Sequence, residues 1–130
     1  MKNRIGTLFF GISLMLTANA SFAHEDAAQA AQHGGVVSEA ASGATAELST
    51  QGNMLMVYLR DHDGSPIQSK GAVAEITLLN GANKQVLPLA ASGENALMAS
   101  GEFQAAAGTK ALLKLTMPGK SAELFRFVVK

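Results

Sequence analysis

The sequence predicts an all-β protein of eight short strands. From Gly34 onward, runs rich in Val, Leu, Ile and Thr are bounded by Gly, Asn, Ser or Pro, which is the pattern of strands joined by turns. No long segment has the apolar period of a helix. Eight strands at this spacing favour a sandwich or barrel. The predicted strands cover residues 36–39, 45–50, 54–60, 73–79, 84–89, 96–100, 110–117 and 122–129.

Two of these runs predict which faces are buried. In residues 110–117, Leu113 and Leu115 alternate with Lys110 and Lys114, which indicates one apolar face and one wet face. In residues 54–59 both alternating sets are apolar, as expected of a central strand covered on both sides.

The turns predict antiparallel neighbours. Asn80-Gly81 suits the two positive φ values of a type I′ hairpin, and Pro118-Gly119 suits a type II turn before the last strand. Pro88 cannot donate a ladder hydrogen bond, so its strand should lie at an edge or carry a bulge.

The N-terminus has the features of a secretory signal. Lys2 and Arg4 precede an apolar run, and Ser21-Phe22-Ala23 places small residues where signal peptidase reads them. We therefore expect export, which makes the new terminus His24. The predicted organisation is a signal peptide over residues 1–23, a flexible tail over 24–32 and one β domain over 33–130.

Composition excludes several functions. After the predicted cleavage the chain holds eight basic and ten acidic residues, scattered singly, so the basic footprint of a nucleic-acid-binding protein is missing. No apolar run is long enough for a membrane span in the mature chain. The chain has no cysteine, which excludes disulfides, thiolate metal sites and cysteine nucleophiles. Neither a nucleophile elbow nor a phosphate-binding loop is present, so we expect no enzyme.

Histidines are the leading candidates for metal ligands. His24 at a free terminus would offer an amine and an imidazole nitrogen to one ion, but it lies in the predicted flexible tail, which suits an auxiliary role. His33 precedes Gly34-Gly35, whose missing side chains allow close approach of the backbone, although a simple hinge into the first strand explains it too.

A second candidate is the turn Asp61-His62-Asp63-Gly64. It lacks the spacing of a calcium loop, and aspartates bonding their own backbone would explain it without function. Its imidazole and carboxylates also suit copper, zinc or nickel.

The methionines allow two interpretations. Met54 and Met56 share one face of a predicted strand, and thioethers favour Cu(I). Methionine is also an ordinary core residue, and the flanking leucines and valine favour that interpretation.

Three motifs together carry a family resemblance: His33-Gly34-Gly35-Val36, then Glu47-Leu48, then a long run over residues 57–67 that contains Tyr58-Leu59 and Asp61-His62-Asp63-Gly64-Ser65-Pro66. Their order resembles small periplasmic proteins that are similar to the N-terminal modules of heavy-metal efflux adaptor subunits, over about residues 33–129. The resemblance implies an immunoglobulin-like β-sandwich in the periplasm with a link to copper, cobalt, zinc or nickel. Relatives often carry a histidine-rich tail and a histidine before Glu-Leu, whereas this chain has His24 alone and Ala46.

The functional hypothesis is a periplasmic, noncatalytic metal-binding accessory near an efflux pump. The predicted ligands are His33 and His62 as imidazoles, Glu47 and Asp61 as carboxylates, and His24 as the auxiliary ligand. Neutral imidazole is the binding form, so the affinity of such a site should fall as pH drops through about 6.5. The alternative is an interaction module that docks on another envelope protein with no metal site.

Overall fold

The computed structural model describes residues 29–130, and it confirms the all-β prediction. Eight strands are present in that range and no helix. Their positions match the predicted runs to within a few residues, with β5 longer than expected. The strands are β1 Val36–Glu39, β2 Thr45–Gln51, β3 Met54–Arg60, β4 Val73–Asn80, β5 Asn83–Ser92, β6 Ala96–Ser100, β7 Lys110–Thr116 and β8 Glu123–Val128. The predicted signal peptide and His24 lie outside the described residues.

All eight strands belong to one antiparallel sheet in the order β1-β2-β3-β6-β5-β4-β7-β8. Strand β5 joins its two halves, because its first part pairs with β4 and Ala90 to Ser92 pair with β6. The sheet curls until the edge strands approach each other, and the Arg126 N–H donates to Ser38 Oγ at 3.2 Å. The arrangement is a nearly closed sheet, and the immunoglobulin-like sandwich stays a prediction.

The core fills the inside of the curled sheet. Alternate residues of nearly every strand point inward, as a period of two requires. The largest fully buried side chains are Phe125, Leu55, Leu59, Ile76, Leu78, Leu97, Leu113 and Leu115. The predicted inward face of β7 is therefore confirmed at Leu113 and Leu115.

The turns agree with the sequence except at one hairpin. Lys120 N–H donates to Met117 O at 3.0 Å across Pro118-Gly119, and Gly119 has φ 71°, as a type II turn requires. The type I′ turn centred on Asn80-Gly81 is wrong. Asn80 pairs with Asn83, so Gly81 and Ala82 form the loop, and only Gly81 has positive φ.

Pro88 lies where β5 has a neighbour on one side. It pairs with Glu75 of β4, and pairing with β6 begins only at Ala90. The missing N–H therefore removes no ladder bond on the open side, which fits the predicted edge position. Among the described residues, no helix is long and apolar enough to cross a membrane.

Candidate functional site

The chain before β1 packs onto the outer surface of β2 and β3. We call residues 29–35 the N-terminal segment, and we call the outer surface of β2, β3 and β6 the histidine face. Thr45 Oγ1 donates to Gln29 Oε1 at 3.1 Å, Arg60 donates to the Ala30 carbonyl at 3.0 Å, and Ser49 Oγ donates to the His33 carbonyl at 3.4 Å. Residues 29–32, assigned to the predicted tail, are thus tied to the sheet, and the packed chain begins before His33.

Glu47 is the centre of this contact. Its side chain is fully buried, and its carboxylate accepts backbone N–H bonds from Gln32 at 2.8 Å, His33 at 2.7 Å and Gly35 at 3.0 Å. Burial, the largest influence, raises the pKa of Glu47, but the three N–H groups and the His33 ring outweigh it and hold the pKa below its ordinary value of 4.5. The carboxylate is therefore the charged anchor of the N-terminal segment.

His33 is fixed on two sides. Its Nδ1 lies 3.3 Å from Glu47 Oε1, and its ring stacks on Tyr58 with 3.5 Å between ring centroids and 4° between planes. Glu47 and Tyr58 are partners in the β2–β3 register, which explains why one ring meets both. The His33 side chain keeps 39% of its surface exposed, and within residues 29–130 only Nδ1 is hydrogen bonded. Its Nε2 is thus the ring nitrogen that has no hydrogen-bond partner among the described residues.

Gly35 allows the segment to lie this close to β2. A Cβ at that position would stand 2.3 Å from the Leu48 carbonyl oxygen and 3.1 Å from Glu47 Cγ. Gly34 turns the chain with φ 70°, in the left-handed region that favours glycine. The His-Gly-Gly sequence therefore has a packing role: it presents the N–H groups of His33 and Gly35 to the buried Glu47 carboxylate.

The Asp61 turn also contacts the N-terminal segment, because Gln29 Nε2 donates to the Asp61 carbonyl at 2.8 Å. Asp61 Oδ1 accepts the N–H groups of Asp63 at 3.2 Å and Ser65 at 2.9 Å. A hydrogen bond with the Asp63 side chain, followed by these N–H groups, holds the pKa of Asp61 below its ordinary range. His62 is exposed, and a Cβ on Gly43 of the β1–β2 turn would lie 3.1 Å from its Cβ.

The structure brings together only some of the predicted ligands. His33 and Glu47 are in contact, whereas Asp61 and His62 belong to the turn after β3. No group of three or more His, Cys, Asp or Glu residues able to hold a metal occurs among residues 29–130. The geometry also gives Glu47 another role: it lies buried beneath the N-terminal segment and orients His33.

Besides Glu47, the residues that hold the N-terminal segment were not among the predicted site residues. Thr45, Ser49 and Arg60 are buried on the histidine face, although the alternation of strands β2 and β3 places them opposite the core residues. The available signal was polar residues at every second position of β2, namely Thr45, Glu47 and Ser49, in a strand with an apolar opposite face. Buried polar side chains need hydrogen-bond partners. When the polar side of a strand is buried, a further segment of chain must cover it and supply them.

The outer surface of β5, β4, β7 and β8 is different, and we call it the basic face. It carries the exposed cations Lys84, Lys110, Lys114 and Arg126 and the single exposed acid Glu75. Exposed apolar side chains lie between them: Leu79, Val86, Leu124 and Val128. A shallow depression of about 320 Å³ is lined by Leu79, Lys110, Leu112, Arg126 and Val128 among others.

Comparison of the chain with protein-family models, with curated proteins and with solved structures finds no match.

Proposed function

We propose that the protein is an exported, noncatalytic metal-handling accessory that works in the periplasm beside a heavy-metal efflux system. The observation that supports this proposal is the orientation of His33. A carboxylate bonded to one imidazole nitrogen fixes the tautomer and raises the basicity of the other nitrogen, as in many metal sites. Glu47 stands in that relation to Nδ1 of His33, and Nε2 is left for an ion.

The stacked Tyr58 ring adds to this preorganisation. It restricts rotation of the imidazole, so less side-chain entropy is lost when an ion binds. His24 stands nine residues earlier in the sequence and outside the described range, and it remains the proposed auxiliary ligand. The cargo is a divalent copper, zinc, nickel or cobalt ion, for which imidazole is a suitable ligand.

Tyr58 also supplies a local probe for the test. It is the only tyrosine and the chain has no tryptophan, so its fluorescence reports on the ring that touches His33. The exported, processed protein should begin at His24 by N-terminal sequencing. Titrated with Cu²⁺ at pH 7.5, it should lose Tyr58 fluorescence with a Kd below about 10 μM, equivalent to roughly −7 kcal/mol.

Two single-imidazole variants form the matched pair. His33→Ala should weaken Cu²⁺ binding at least tenfold. His62→Ala should leave it within twofold, since Glu47 and Tyr58 hold the ring of His33 and not that of His62. Calorimetry with zinc, nickel and cobalt extends the measurement. The proposal fails if no ion binds more tightly than about 10 μM, or if the His62 variant alone loses binding.

A second candidate function is docking on another envelope protein through the basic face. Four exposed cations against one exposed acid give this face a positive charge, although the chain after residue 23 holds more acids than bases. Exposed Leu79, Leu124 and Val128 between the cations supply apolar contact. The partner that fits is a protein surface with an apolar centre and an acidic rim.

Site-directed crosslinking tests that docking. A photoreactive residue at Val128, on the basic face, should give an adduct with an acidic protein in cells, and one at Ser100, on the histidine face, should not. Lys110→Glu combined with Lys114→Glu should abolish the adduct. Lipid adducts, adducts with a second copy of the chain, or unchanged yield in the charge-reversed protein would each overturn this candidate.

A further inference from the structure

Three of the four methionines among residues 29–130 lie together on the histidine face. Met54 and Met56 alternate with Leu55 and Val57 along β3, and the latter two point into the core. Met98 lies on β6, between the buried Leu97 and Ala99. The sequence-based interpretation of Met54 and Met56 as core residues is therefore wrong, because the core takes the opposite face of the strand.

The strand register places the three methionines at neighbouring positions of one face. Met56 is the direct partner of Met98, and Met54 is the partner of Ser100 on the same face. Directly opposed Cβ atoms lie about 5 Å apart, and residues two positions apart on a strand are separated by roughly 7 Å. Methionine is unbranched and flexible, so sulfur atoms from such positions can converge.

These three side chains are not part of the hydrophobic core and are not among the residues packed against it. Met54 is 42% exposed, and Met56 and Met98 are partly exposed. The residues opposite them are uncharged: Ser49 faces Met56 from β2, and Ala90 faces Met98 from β5. Arg60 is the nearest cation along this side of β3. It lies four positions from Met56, about 13 Å along the strand, and its guanidinium donates to the Ala30 carbonyl.

The chemistry of the ligands selects the ion. Thioethers are soft, neutral ligands, which favour monovalent copper over zinc, nickel or cobalt. With no cysteine in the chain, these sulfurs have no competing thiolate. We propose that Met54, Met56 and Met98 form a binding site for Cu(I) on the outer surface of β3 and β6. The inference rests on the metal-handling function proposed above, but it uses none of the ligands of the His33 site.

Silver(I) is the redox-inert probe for this site, and methyl-¹³C methionine is the reporter. In the full processed chain, Ag⁺ at micromolar concentration should shift the methyl signals of Met54, Met56 and Met98. Met117 follows β7 and packs against the core, so its signal serves as the internal control and should not move. Cu(I) competition under anaerobic conditions should then give the same order of affinities among variants.

Leucine replacements measure the contribution of each sulfur. Met56→Leu and Met98→Leu nearly conserve volume, so the fold should persist while Ag⁺ affinity falls at least tenfold for each. Met117→Leu should change it less than twofold. Equal shifts at all four methionines, absence of a response below 1 mM (a binding energy weaker than about −4 kcal/mol), or unchanged affinity in both face variants would overturn the inference.

The two metal proposals fail separately. His33→Ala should leave the Ag⁺-induced methionine shifts in place, and Met56→Leu should leave Cu²⁺ quenching of Tyr58 in place. Loss of the Ag⁺ response alone removes the thioether site and leaves the His33 site standing. Loss of the Cu²⁺ response alone removes the His33 site and leaves the thioether site standing.

Discussion

The histidine face and the basic face lie on the two halves of one sheet. Charged side chains are buried on the histidine face and exposed on the basic face. On the histidine face, Glu47 and Arg60 are buried and bonded to the backbone of the N-terminal segment. On the basic face, Lys110 and Lys114 are exposed, and the chain itself does not cover them within residues 29–130. The same strand alternation produces both surfaces.

The difference shows that a covering segment determines how much a charged residue contributes to stability. An exposed charge contributes little to stability because water screens it. A buried carboxylate with three N–H donors makes short, charge-assisted hydrogen bonds, and losing one side of them leaves groups unsatisfied. We therefore expect substitutions on the histidine face to affect stability and those on the basic face to affect association.

The largest contrast should come from matched glutamates. Glu47→Gln places an amide NH₂ among N–H donors and should lower the free energy of unfolding by about 3 kcal/mol. Glu75→Gln, at an exposed position of β4, should change it by less than about 0.5 kcal/mol. Urea unfolding at pH 7 measures both. Similar losses for the two variants would contradict the anchoring role of Glu47.

Two glycine substitutions test whether the N-terminal segment needs its close approach to β2. Gly35→Ala directs a Cβ at the Leu48 carbonyl and should cost about 2 kcal/mol through overpacking. Gly52→Ala meets no atom within 4 Å but requires positive φ, so about 1 kcal/mol is expected. Thermal unfolding ranks them. If Gly35→Ala proves the milder change, the segment does not need its close approach to β2.

The pH dependence tests the charge of Glu47. Its folded-state pKa is lowered, so the carboxylate adds stability above its ordinary pKa of 4.5, and this stability is lost as pH falls below that value through the folded pKa. Denaturation midpoints measured from pH 7 to pH 3 should fall more steeply for the natural chain than for Glu47→Gln. Parallel curves would remove Glu47 as the source of the acid sensitivity.

The smallest effect on stability is expected on the basic face. Lys114→Glu and Arg126→Glu replace exposed side chains, and each should change the free energy of unfolding by less than about 0.5 kcal/mol. The same urea titration checks this, and circular dichroism confirms the fold. A loss above about 1 kcal/mol in either variant would show that these cations support the sheet itself.

Much of the fold could be predicted from local pattern. Alternation along residues 110–117 identified the core face of β7, and Pro118-Gly119 identified its turn, because both signals are complete within a few neighbouring residues. The hairpin at Gly81 was misplaced by one residue, since Asn80 has no positive φ and joins the ladder instead. The curling of eight strands into one sheet depends on β5 changing partners, which no local pattern specifies.

The candidate site was predicted in its residues but not in its geometry. His33 and Glu47 were both named, yet their relation required the β2–β3 register and the return of the N-terminal segment over it. The methionines were assigned to the wrong face because leucine, valine and methionine are all apolar, and alternation alone cannot say which set faces inward. Asp61 and His62 lie on the turn after β3, and they do not join His33 and Glu47.

The all-β class, the strand positions, the absence of thiol chemistry and the candidate metal ligands could all be obtained from the sequence alone, because composition and a period of two are local properties. The tertiary structure decided which polar residues are buried, which imidazole is held, and which side of β3 its methionines occupy. Those outcomes depend on contacts between residues far apart in the chain, and only the folded sheet brings them together.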